Sequence, residues 1–140
     1  ADSAVGVVPG GGATGLCVDA IAAALADAGL GRTAVDGLVT LNPLAEPYAY
    51  HAEAIAEYLQ VQPRYCMSVA TGGGTTIAAL HQAASAIASG LCQTVVVAMA
   101  DSLRSGVSRE RAAAMQASTG HPQFEVPYGA PVAAHYALIA

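Results

Sequence analysis

The stretch "VATGGGTTIAALHQ" carries Gly72, Gly73 and Gly74 between an apolar run and the start of a helical pattern. Backbone N–H groups at such a helix start face the crevice at the carboxyl ends of parallel strands, where they can stabilise a carbonyl oxygen that gains negative charge. Three glycines leave no Cβ to block a ligand, but they also suit a tight turn needing positive φ, and spacing alone leaves both readings open. A second cluster, "PGGGATG", sets Gly10, Gly12 and Gly15 in the G-x-G-x-x-G pattern of a dinucleotide-binding turn. Asp36, the nearest acid for a ribose, precedes the following strand instead of ending it. A dinucleotide-binding domain is therefore only a remote alternative to a flexible glycine loop.

The remaining reactive side chains are sparse. Cys17, Cys66 and Cys92 are far apart and form no CxxC pair, so neither a disulfide framework nor a zinc site is expected, and Cys66 and Cys92 read as core residues. His51, His121 and His135 are scattered without metal-ligand spacing, and no metal is expected. His81 reads as a core or interface residue. Every basic residue is an arginine, so Schiff-base chemistry and a P-loop, both of which need lysine, are excluded for this chain. Arg104, Arg109 and Arg111 could contact the phosphates of a ligand, but Glu110 among them favours a solvated face.

These residues need a scaffold, and the pattern supplies one. Ala4–Val8 reads as a first strand. Cys17, Ile21 and Leu25 recur at helical spacing before Gly29, a natural terminator. Val35–Leu41 reads as a second strand, Tyr50–Gln60 as a helix and Tyr65–Val69 as a third strand. Ile77, Leu80, Ala84, Ile87 and Leu91 form an apolar stripe on the helix after the glycines, which is expected to be buried between layers. Thr94–Ala100 is continuously apolar and β-branched, as in a parallel strand covered on both faces. The alternation predicts a doubly wound, mostly parallel α/β sheet of at least four strands. Residues 1–100 are expected to form the core, 101–131 a loop region after the fourth strand, and 132–140 a further helix.

Composition bounds the partners. With 54% hydrophobic and only 11% charged residues, the chain can build a large core, and so little charge implies a surface covered by more polypeptide or by a second subunit. A net charge of −5 without any basic run argues against nucleic acid or an anionic membrane. No apolar stretch reaches membrane-spanning length, and the unpaired cysteines fit a reducing cytoplasm.

The segment "GGGTTIAALHQAASAIASGLC", together with "ALADAGLGRTAVDGLV" (24–39) and "FEVPYGAPVAAHYALIA" (124–140), resembles the thiolase superfamily, specifically its Cys-less branch of sterol-carrier-protein and lipid-transfer-protein-type homologues. In thiolases a strand delivers a nucleophilic cysteine to the start of this helix. Counted back from Gly90, that position is Gly73 here, followed by Gly74, Thr75 and Thr76. The resemblance implies the N-terminal half of a thiolase-like, three-layer α/β/α protein. It also implies an acyl-CoA substrate, with coenzyme A as part of that substrate and no bound cofactor. The activity implied is a Cys-less aldolase or related carbon–carbon lyase, as in steroid side-chain degradation and lipid metabolism. A thiolase-type acyltransferase (acetyl-CoA acetyltransferase) and a non-catalytic acyl-CoA- or partner-binding subunit are the alternatives. Gly72, Gly74, Thr75, Tyr128 and Gly129 are implied near the substrate, with Gly73 at the vacated nucleophile position. The branch's catalytic tyrosines lie in a second half. A homodimer with Tyr65–Val69 near its interface and a small OB-fold acyl-CoA-binding partner are further implications.

Overall fold

Strand β1 (Gly37–Leu41) is the centre of the sheet because its side chains alternate between two apolar layers. Leu38 joins one cluster with Cys17, Ile21 and Leu25 of α1 (Ala13–Asp27) and Ile55, Ala56 and Leu59 of α2 (His51–Leu59). Val39 faces the other way, onto Ala79 of α3 (Thr75–Ala88). The computed structural model describes residues 1–118, 120–129 and 132–140, and the chain divides into two units, Ala1–Ser105 and Gly106–Ala140.

In the first unit β1 pairs in parallel with β2 (Tyr65–Val69), from Gly37 opposite Tyr65 to Leu41 opposite Val69. On its other side it pairs in parallel with β3 (Val95–Ala98), from Gly37 opposite Val95 to Thr40 opposite Ala98. The order is β2-β1-β3. With α1 and α2 on one face and α3 on the other, the unit is the expected three-layer α/β/α arrangement around a parallel sheet. Ile21, Leu38 and Ile55 are at most 1% exposed, and each such burial is worth about 2 kcal/mol. Helix α1 buries its four-residue row Cys17, Ile21 and Leu25 as the spacing predicts, and Gly29 beyond it takes a left-handed φ of +65°.

Two expectations are corrected. Ala4–Val8 forms no strand, so the described sheet has three strands instead of four. Both sides of β1 are occupied, and the N-terminal segment is tied down by Val8 N–H donating to Ser105 Oγ (3.0 Å) while Val5 and Val7 stay exposed. Helix α3 turns its small residues to the sheet, burying Thr75, Ala79, Ala83 and Ala86. The larger stripe of Ile77, Leu80, Ile87 and Leu91 is between 46% and 71% exposed. Alanines permit a closer helix–sheet approach than a row of leucines and isoleucines would. The helix is therefore covered on one face only in this chain.

Helix α4 (Leu103–Gly106) crosses the division between the units. In the second unit α5 (Arg109–Ala117) is capped by Ser108, whose Oγ accepts from Arg111 N–H at 3.2 Å. A single turn follows at Val126–Tyr128, then α6 (Val132–Ile139). Neither α5 nor α6 buries a side chain. The boundary expected at residue 131 lies outside the described residues. Among those described, no helix is long and apolar enough to cross a membrane.

Candidate functional site

Strand β2 ends at Val69, and within a few residues the chain makes one tight turn, Gly72–Gly74, that opens α3. Gly72 holds φ at +62°, which an L side chain adopts only at a cost. Thr75 closes the turn. Its Oγ1 donates to the Gly72 carbonyl at 2.7 Å and accepts from Thr71 N–H at 3.0 Å. With its residue 4% exposed, that hydroxyl is committed to shaping the turn. The neighbouring Thr76 Oγ1 donates to Met99 Sδ at 3.5 Å.

Gly73 has neither constraint of its neighbours: its φ is not positive, and a Cβ built on it meets nothing within 4 Å. The turn's centre is thus an open position at a helix start, where Thr75 N–H is bonded to the Gly72 carbonyl and the N–H groups just after it have no acceptor within α3. Tyr128 and Gly129 lie in the second unit. There Tyr128 is 83% exposed, and Gly129, at φ +62°, donates its N–H to the Val126 carbonyl at 3.0 Å. The turn therefore brings together Gly72, Gly73, Gly74 and Thr75 of the expected set.

No cysteine is placed to act as the nucleophile. Burial pushes the Cys17 thiol up to about 11. Burial also raises Cys66, reinforced by the charge of Glu53, and raises Cys92, reinforced by Asp36. Thiols held protonated in this way are inert. His81 is exposed on α3, not in the core, and Arg104, Arg109 and Arg111 are exposed as expected of a solvated face. Among the described residues, no group of three or more His, Cys, Asp or Glu side chains could hold a metal ion. A recess of ≈130 Å³ is lined by Ala1, by Ala20, Ile21 and Ala24 of α1 and by Val96–Met99, none of them part of the turn.

The other glycine cluster is closed to a dinucleotide by Glu46, which no local pattern marked, and its candidate ribose partner Asp36 is engaged elsewhere. Glu46 Oε2 accepts from Thr14 N–H (3.2 Å) and Thr14 Oγ1 (3.3 Å). An anion already sits at the start of α1, where a pyrophosphate would bind. A Cβ at Gly12 would collide with Glu46 Oε1, so this glycine makes room for the carboxylate. Asp36, the candidate ribose partner, accepts from Gln93 N–H (2.9 Å) and Thr94 N–H (2.7 Å). These bonds hold its carboxyl below the ordinary range. Asp101 similarly accepts from Leu44 N–H (2.8 Å) and Ala45 N–H (3.1 Å), joining the segments that follow β1 and β3. All three are contacts between residues 32 to 58 positions apart, which no local pattern encodes.

No family model matches the chain. A steroid side-chain-cleaving aldolase from Thermomonospora curvata is 37% identical over 94 residues, covering 66% of this chain and 23% of the aldolase. The chain thus spans about a quarter of that relative. The crystal structure of 3-oxoacyl-[acyl-carrier-protein] synthase III from Aquifex aeolicus superposes with a TM-score of 0.62 at 24% identity, covering 74% of this chain and 35% of the synthase. That likeness establishes the fold, and the aldolase carries the likeness in sequence. The chain is thus similar in sequence to a steroid side-chain-cleaving aldolase and in fold to the synthase, in agreement with the thiolase-like resemblance of its sequence.

Proposed function

We propose that the chain forms the N-terminal part of a Cys-less, lipid-transfer-protein-type carbon–carbon lyase acting on acyl-CoA thioesters. The observation that carries the reading is the turn itself. It is shaped by Gly72 and Thr75 and has an open Gly73, the residue that the resemblance, counted back from Gly90, aligns with the thiolase cysteine. Thiolase acyl transfer needs a covalent thioester on that side chain, whereas a retro-aldol cleavage does not. In the cleavage of a β-hydroxyacyl-CoA, a general base takes the hydroxyl proton and the Cα–Cβ bond breaks to release a ketone or aldehyde. The electron pair moves onto the thioester as an enolate, which is then protonated at Cα. N–H groups at the start of α3 are suited to hold the enolate oxygen. The name of the aldolase relative supports the same reaction class, and the base would come from parts of the protein outside this turn.

Coenzyme A enters this reading as part of the substrate, with no further cofactor, and the setting is lipid or steroid catabolism in the cytoplasm. A homodimer built along β2 fits that strand's place at the edge of the sheet, and a small OB-fold acyl-CoA-binding protein is the proposed further partner. The test is to incubate the purified protein with a β-hydroxyacyl-CoA. Release of ketone or aldehyde supports the lyase. Exchange of the acyl group with free coenzyme A would establish a transferase instead, and saturable binding with neither activity would establish a binding subunit.

A further inference from the structure

His51, the first residue of α2, is 0% exposed. Its Nδ1 lies 3.0 Å from Thr40 Oγ1, itself fully buried in β1. Thr40 Oγ1 is 3.3 Å from Ser68 Oγ on β2, and Ser68 Oγ accepts from Ala52 N–H at 3.1 Å. This chain of hydroxyls is what fastens the start of α2 to the sheet. Among the described residues, His51 Nε2 and Asn42 Oδ1 are buried without a hydrogen-bond partner. Between Asn42 and His51 runs the segment whose Glu46 caps α1 and whose Leu44 and Ala45 are held by Asp101.

A neutral imidazole suits this arrangement, since Nδ1 can either accept from or donate to the Thr40 hydroxyl. An imidazolium does not. Both its nitrogens carry protons, so Thr40 must become an acceptor, and Nε2–H is left as a buried unpaired donor on a charged ring. The surroundings offer little compensation. β1 and β2 present only the hydroxyls of Thr40 and Ser68. The preceding segment presents the Tyr48 ring, 6.0 Å away between centroids, and the Glu46 carboxylate. Glu46 favours the charged ring, but burial outweighs it and holds the imidazole below its ordinary value.

We propose that residues 42–52 form a proton-released clasp. Charging His51 frees the start of α2 from Ser68 and draws Glu46 away from α1, while the rest of the sheet stays folded. The sign follows from the linkage. The folded-state value lies below the free one, so the closed form is fully favoured above about pH 6.5 and loses ground as the pH falls through that value. A free imidazole titrating at 6.5 limits the effect, between about pH 8 and pH 5, to roughly thirtyfold in the opening equilibrium.

Amide hydrogen exchange on the chain, corrected for intrinsic rates, tests this. Between about pH 8 and pH 5 the protection of the Ala52 and Thr14 amides should fall together, by up to about thirtyfold. The Gln93 and Thr94 amides, bonded to Asp36, should hold within about twofold. In His51→Asn, which keeps a neutral polar group near the Nδ1 position, the pH dependence at Ala52 and Thr14 should vanish. The clasp is overturned by a flat profile in the wild type, by an equal fall in His51→Asn, or by an equal fall at Gln93 and Thr94, which would mean global unfolding. Should His51→Asn fail to fold, the wild-type NMR titration decides. The His51 ring must titrate below 6.5 with the same midpoint as the Ala52 amide, and an ordinary value or separate midpoints would sink the proposal.

Discussion

Gly72 and Gly73 are adjacent and both exposed, yet the structure predicts opposite responses to the same substitution. At Gly72 a Cβ would meet nothing within 4 Å, but φ is +62°. An L residue there costs about 1–2 kcal/mol, offset by about 0.4–1 kcal/mol from the smaller entropy of the unfolded chain. Gly72→Ala should therefore destabilise the chain by about 1 kcal/mol. At Gly73 the space is equally open and no positive φ is imposed, so only the entropic gain remains and Gly73→Ala should stabilise by about 0.5 kcal/mol. The gap of about 1.5 kcal/mol corresponds to roughly 5 °C in Tm for a chain of this size. Thermal unfolding of the two variants side by side reads it directly. Equal destabilisation would refute the described turn. If the gap is found, Gly73 can be varied without damaging the fold, which isolates its role in the proposed chemistry. Gly73→Leu should then keep its Tm while losing acyl-CoA binding or turnover, and unchanged lyase activity would remove Gly73 from the site. Gly73→Cys should accept an acyl label on a thiol placed at a helix start, without efficient thiolase turnover.

Three further outcomes follow from the packing. A Cβ at Gly37 would lie 2.7 Å from Val95 Cγ2 and 3.0 Å from Cys92 Sγ, so Gly37→Ala should cost about 1–3 kcal/mol. Adding Val95→Ala should recover part of that loss in a urea titration, and a double variant no better than the sum of the single ones would refute the close approach. The Asp36 carboxyl is held below its free value of 3.8 by the Thr94 and Gln93 amides. Its contribution is therefore complete above that pH and is lost as the pH falls through the lower folded value. The urea midpoint should decline below about pH 4 in the wild type, with a shallower decline in Asp36→Asn. Cys17, fully buried with its thiol raised to about 11, should resist thiol reagents under native conditions and react only after denaturation. Rapid native labelling of Cys17 would contradict the described core.

Periodicity and turn chemistry made several elements legible from sequence alone. The four-residue row of Cys17, Ile21 and Leu25 marked α1, the five residues Tyr65–Val69 marked β2, and the glycines marked the turn into α3. Each is a local property, since side-chain spacing along a helix or strand and the φ freedom of glycine act within a few residues. Tertiary structure decided the rest. The sequence of α3 carries two apolar stripes, and helical spacing cannot say which one meets the sheet. The close approach of β1, β2 and β3 selected the alanine stripe and left Ile77 and Leu80 outside. Ala4–Val8 has strand composition, but strand formation needs a free edge that pairs, and no such pairing formed. The carboxylates of Glu46 and Asp101 and the buried His51 were invisible as sites, and Asp36, weighed as a ribose partner, was not legible as the acceptor of two loop amides. Their partners lie 11 to 58 residues away, and only the fold brings a lone polar side chain to an unpaired helix start, a loop amide or a strand hydroxyl.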